Sequence, residues 1–140
     1  MGRAVPGEPV AVIVLDTHVL VWARTEQRRL STVAKRAIVD ARADGGVAVA
    51  AITLYETARL FALGYLRPIG TVAQAVDDLI DGVTVLPVTV EIAALAVSLP
   101  VGFPRDPADR LIAATARAHA LQLVTADRAI RESSAVETVW

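Results

Sequence analysis

Residues 10–15, VAVIVL, form an unbroken β-branched and apolar run that stops at Asp16. A strand with one wet face alternates apolar and polar side chains. A strand with no polar position has to be covered on both faces, as in a parallel sheet flanked by helices. The run therefore predicts strand one of an α/β fold, with Asp16 emerging at its carboxyl end.

The rest of the chain repeats that rhythm. Helical patterns over residues 18–24 and 31–43, the latter capped by Ser31, lead to a second strand at 47–51. A helix over 53–63 opens on Thr53 and stops at Gly64. A helix over 71–80, a strand over 83–87 and a helix over 90–97 follow. Asp106 then caps the helix DPADRLIAATARAHA, with Pro107 at the first helical position. Residues 121–125 make a fourth strand, 127–131 a helical turn and 136–140 an edge strand. Strands separated by helices predict a three-layer α/β/α sandwich around a parallel sheet of four to five strands, with the ligand crevice beyond the strands' carboxyl ends.

A length of 140 residues suits one domain, expected over 10–140, and residues 1–9 (MGRAVPGEP) read as a flexible leader with no signal-peptide apolar core. No stretch approaches the roughly 18 uncharged apolar residues that span a bilayer, so no membrane association is expected. The chain has no Cys, which excludes disulfides and thiolate chemistry and fits a cytoplasmic location. Fourteen basic against fifteen acidic residues leave a net charge of −1, so any nucleic-acid site must be a local patch. Lys35 is the single lysine, which excludes a Walker phosphate loop.

Four acids fall where the crevice should be. Asp16 follows strand one, Asp127 follows strand four, and Glu56 and Asp109 lie one turn into helices that start at the same edge. Each has a plain structural role available. Thr53 and Glu56 fit a capping box, Asp106 an N-cap, and Asp109 a helix-start acid. Together they present a different problem, because two carboxylates about 5 Å apart repel by roughly 3 kcal/mol at an effective dielectric near 20. A bound Mg²⁺ or Mn²⁺ removes that repulsion. Helix N-termini should keep Glu56 and Asp109 ionised and ready to ligate a hard cation, and the chemistry such a site supports is phosphodiester hydrolysis.

The stretches LDTH (15–18), ITLYETARLFALGYL (52–66), FPRDPADRLIAATARAHALQLVTADRAI (103–130) and the final VETVW resemble the PIN domain, specifically VapC-type toxins of bacterial type II toxin–antitoxin systems. The resemblance runs from about Val12 to Trp140. It implies a PIN-like fold and a magnesium-dependent endoribonuclease that hydrolyses RNA. Asp16, Glu56, Asp109 and Asp127 would be its catalytic and metal-binding quartet, with Asp106 an accessory acid. It also implies a homodimer and a toxin–antitoxin hetero-oligomer in which a cognate antitoxin inhibits the enzyme. Tyr55 and Pro104 depart from the pattern, since relatives often carry Trp and His there.

Among other residues, Arg110 could contact an RNA phosphate or pair with Asp106, and Thr17 and Thr125 could orient a water or a metal ligand. Arg24, Arg28 and Arg29 read as a solvated loop or a phosphate rim. Trp22, Tyr55, Phe61 and Tyr65 could stack on bases but, at helical spacings, read as core or interface, and with six aromatics in all no stacking platform is expected. Three rival readings are weighed: an inactive PIN-like binding module, an aspartate-based phosphatase and a phosphoacceptor receiver. A phosphatase would carry a second Asp where His18 stands, and a receiver would need a lysine after a late strand.

Overall fold

The computed structural model describes residues 12–140; the expected leader and the first two residues of expected strand one lie outside the described residues. The order is β1 (Ile13–Leu15), α1 (Thr17–Thr25), a 3-10 turn (Gln27–Arg29), α2 (Thr32–Asp44), β2 (Val47–Ala50), α3 (Ile52–Ala62), α4 (Val72–Leu79), β3 (Thr84–Leu86), α5 (Val90–Val97), α6 (Pro107–Ala118), β4 (Gln122–Val124), α7 (Arg128–Glu132) and β5 (Thr138–Val139). The sheet is parallel throughout, in the order β3-β2-β1-β4-β5. Among the described residues no helix is long and apolar enough to cross a membrane.

Period-two alternation divides the strands between two cores. Ile13, Leu15, Val47, Val49 and Val124 face one layer, packed on α1 and α2 through Val19, Leu20, Ala34 and Ile38. Val14, Ala48, Ala50 and Leu123 face the other, against Ile112, Ala113 and Ala116 of α6 and Ile130 of α7. Helix α6 is covered a second time, because Ala114 meets Ile92 and Ala96 of α5. Small side chains suit a helix pressed between a sheet and another helix, which accounts for its alanines. The expected three-layer sandwich is present, with five strands.

Strand order sets the site. The chain moves outward from β1 through β2 to β3, then crosses back to place β4 on the other side of β1. The carboxyl ends of β1 and β4 thus flank the point where chain direction across the sheet reverses, where such folds open a crevice. Leu15 is in register with Val124, and Val124 with Val139. The residues after these three, Asp16, Thr125 and Trp140, therefore follow one another along the carboxyl edge.

Side-chain caps fall where expected at Ser31 and Asp106, and Thr71 and Asp127 cap α4 and α7 as well. The start of α3 departs from this. Ala51 donates its N–H to Leu86 O and already has helical dihedrals (φ −56°, ψ −32°), so the helix begins at Ile52 with no side-chain cap. Thr53 lies inside the helix, and the capping box expected between Thr53 and Glu56 is absent. Gly64 stops the helix at φ +84°, a conformation that favours glycine.

The loop leading into α6 is tied down by Phe103, which is 2% exposed and packs in the second core. Phe103→Ala should lower unfolding free energy by about 3–5 kcal/mol. Urea denaturation followed by circular dichroism will measure it, and a change under about 1 kcal/mol would show that the loop contributes little to the core.

Candidate active site

Asp16 is 7% exposed, and its carboxylate is held on both oxygens. The Thr17 N–H donates to Oδ1 at 2.8 Å, and the Thr125 hydroxyl donates to Oδ2 at 2.7 Å. Thr125 also accepts from the Asp127 N–H at 3.1 Å, so one buried hydroxyl links the two strand-end acids. The side chain of Thr17 reaches across to α3, donating to Glu56 Oε1 at 2.5 Å. Its single hydrogen being used there, the Thr53 hydroxyl, 3.0 Å away, donates to Thr17. Thr17 and Thr125, both singled out in the sequence, are thus hydrogen-bonded to carboxylates of the candidate quartet. Thr53, taken as a cap on sequence, belongs to this network instead.

Asp106 caps α6 through Ala108 N–H at 3.0 Å, and Asp127 caps α7 through Ile130 N–H at 3.1 Å. Asp109 sits in the first turn of α6. Helix starts were expected to favour the ionised forms of Glu56 and Asp109, yet both carboxyls are raised. Burial raises the Glu56 carboxyl, opposed by its bond from Thr17, and Asp16 and Asp106 add repulsion. Asp109 is pushed up to about 7, first by burial and then by Asp106, Asp16, Asp127 and Glu56. Burial likewise raises Asp16, against the two hydrogen bonds it accepts. Desolvation and like charge outweigh the helix dipole here.

Those mutual effects place the four acids and Asp106 in one electrostatic neighbourhood. Among the described residues, however, no three acidic or histidine side chains are arranged to hold a metal ion. The acids share an edge without closing on a common point. Their chemistry still suits a hard divalent cation: every donor is a carboxylate oxygen, and a cation would offset the repulsion that adds to burial in raising Asp109. A cavity of about 500 Å³ opens beside them, lined by Thr17, His18, Tyr55, Glu56, Arg59 and Asp106. A slightly larger one, about 550 Å³, lies under α2 and contains none of the candidate acids.

Arg110 takes neither expected role. Its guanidinium donates to Pro104 O, Ala96 O and Phe103 O at 2.9, 3.1 and 3.4 Å, and it makes no ion pair with Asp106. A planar fork beside three carbonyls satisfies them in place of a phosphate. Arg28 and Arg29 are solvated and pair with Glu26, while Arg24 donates to Leu79 O and Asp81 O. His18 is exposed and lies close enough to favour the charged forms of Asp16 and Glu56. The sequence offered no reason to give it that part beyond its place two residues after Asp16.

The model of the PIN domain family matches residues 13–135. Ribonuclease VapC22 of Mycobacterium tuberculosis is 40% identical over 133 residues, covering 94% of this chain and 100% of that protein. Among solved structures, VapBC2 from Rickettsia felis bound to a promoter DNA fragment superposes with a TM-score of 0.70 at 15% identity, over 91% of this chain and 96% of that one. That likeness concerns the fold alone. VapBC-5 from Mycobacterium tuberculosis, of the VapBC family of toxin–antitoxin systems, gives 0.58 at 25% identity, over 91% and 97%.

A carboxyl raised in the folded state makes the native protein bind more protons than the unfolded chain, so stability falls as pH rises. For Asp109 the fall spans its ordinary value of 3.8 up to about 7. Metal-free protein should lose about 2–5 °C in Tm between pH 5 and pH 8, a modest figure because the carboxyl is partly exposed. Asp109→Asn should flatten that slope and raise Tm at pH 8. An equally steep slope in the variant would remove Asp109 as its source.

Proposed function

The chain belongs to the PIN domain family, and from that premise we propose that it is a divalent-metal-dependent endoribonuclease toxin of the VapC kind, restrained by a cognate antitoxin. The observation that carries the reading is the shared neighbourhood of Asp16, Glu56, Asp109 and Asp127 at the carboxyl edge of the sheet, where each acid raises or is raised by another. The likeness to a ribonuclease across its whole length supports RNA as the substrate.

Asp16, Glu56, Asp109 and Asp127 would hold Mg²⁺ or Mn²⁺, which when bound supplies Lewis acidity toward the phosphoryl oxygen and a water of lowered pKa. Thr17 and Thr125 fix the Asp16 carboxylate by its two hydrogen bonds, so that its remaining lone pairs point consistently. Thr17 also fixes Glu56. Asp109, raised to about 7, would be held in its ionised form by a bound cation. A water oxygen adds to phosphorus, one phosphodiester P–O bond breaks, and the leaving oxygen is protonated. Asp106 stays at the helix cap and adds negative field. The exposed apolar side chains Tyr55, Leu63, Tyr65 and Ile69 offer a surface to the antitoxin or to a second copy of the toxin in the homodimer we expect.

Purified protein freed of antitoxin should cut single-stranded RNA with Mg²⁺ or Mn²⁺ and not in EDTA. Asp16→Asn and Asp109→Asn should each lower the cleavage rate by at least about 100-fold, several kcal/mol of transition-state stabilisation, with Tm unchanged or raised. Thr125→Val should lower it by about 10- to 100-fold, the usual range for a residue that orients a ligand. Wild-type protein that neither cleaves RNA nor gains Tm from either cation would support an inactive binding module instead.

A further inference from the structure

The edge that carries the acids also carries a second, differently built group. Asp16, Thr125 and Trp140 each follow one of three in-register residues on β1, β4 and β5. With neighbouring strands about 4.8 Å apart, Trp140 leaves the sheet roughly 10 Å from Asp16. Its ring lies 6.1 Å from that of Trp22, which is 5.9 Å from His18. The Arg29 guanidinium covers Trp22 at 4.5 Å. Aromatic surface thus runs continuously from the margin of the acid cluster to the end of β5. Trp140 then lines an open cavity of about 400 Å³ with Arg128, Arg131, Glu132 and Thr138.

Core packing accounts for the inner parts of both tryptophans, which rest on the first core. It gives no reason for two arginines to share the outer cavity with Trp140. Arg128 pairs with Glu132 at 2.8 Å, but both are largely solvated, so that pair is weak and exchangeable. Arg131 enters no ion pair among the described residues. A protein of net charge −1 with acids at its reactive edge repels RNA, so a phosphate brought there needs local cations. An indole beside solvated guanidinium groups is the combination that holds single-stranded nucleic acid without reading its sequence.

We propose that Trp140, Arg128 and Arg131 form a binding subsite for a nucleotide of single-stranded RNA flanking the cut, the indole stacking on its base and the arginines meeting its phosphate. The subsite rests on the nuclease reading above. It gives this protein a direction for its substrate, from the cavity at β5 along the edge toward Asp16.

Binding of a fluorescein-labelled single-stranded RNA oligonucleotide, measured by fluorescence anisotropy in EDTA, tests the subsite without cleavage. Arg131→Ala should weaken binding about 3- to 10-fold and lower the slope of log affinity against log salt by about 0.7, the loss of one phosphate contact. Trp140→Ala should weaken it by about 5- to 100-fold, and Trp140→Phe by much less. Wild-type affinity and salt slope in Arg131→Ala, or wild-type affinity in a folded Trp140→Ala, would overturn the subsite while leaving the nuclease reading intact. Should Trp140→Ala fail to fold, Arg131→Ala decides. Wild-type protein that neither binds this RNA nor cleaves it with Mg²⁺ or Mn²⁺ would overturn the nuclease reading, and the subsite with it.

Discussion

Much of this structure follows from β1 being paired on both sides while both its faces are covered. Ile13 and Leu15 are buried against one helical layer and Val14 against the other. A strand so enclosed has one place to present a polar group, its carboxyl end, and the first residue there is Asp16. The Asp16 N–H is itself bound to Val124 O at 3.0 Å, so β4 and the acid share the ladder's last bond. Every further element of the site is defined by its distance from that point.

Burial then creates an electrostatic imbalance that the fold only partly offsets. Asp16 accepts two hydrogen bonds and Glu56 one, yet desolvation still wins for both. Asp109, with four like-charged neighbours, is the furthest displaced. Proteins rarely gather acids in this way for stability, since removing a repelling charge usually helps folding. Carboxyls raised in this way are commonest at functional sites.

The parts of the fold legible in the sequence are those decided locally. Helix starts at Ser31, Thr71 and Asp106 could be read because the capping side chain lies within three residues of the N–H it satisfies. The start of α3 could not, because Ala51 is held by Leu86, thirty-five residues further on. Likewise the bond from Thr17 to Glu56 spans 39 positions and that from Thr125 to Asp16 spans 109. Sequence order could bring the acids to one edge; only tertiary packing reveals which threonines hold them and that burial raises Asp16, Glu56 and Asp109. The meeting of Trp22 with Trp140 was hidden for the same reason.

Arg110 illustrates how such long-range constraints change the meaning of a single side chain. Its three carbonyl partners belong to the end of α5 and to the loop before α6, and its own backbone lies next to Asp109. One guanidinium therefore ties α5, the loop and the first turn of α6 together. A loss of cleavage on replacing this arginine would look, in a charge-based survey of RNA contacts, like a missing phosphate ligand. The three carbonyl bonds give it a mechanical reading instead, since they tie the turn that carries Asp109 to α5 and to the loop before it.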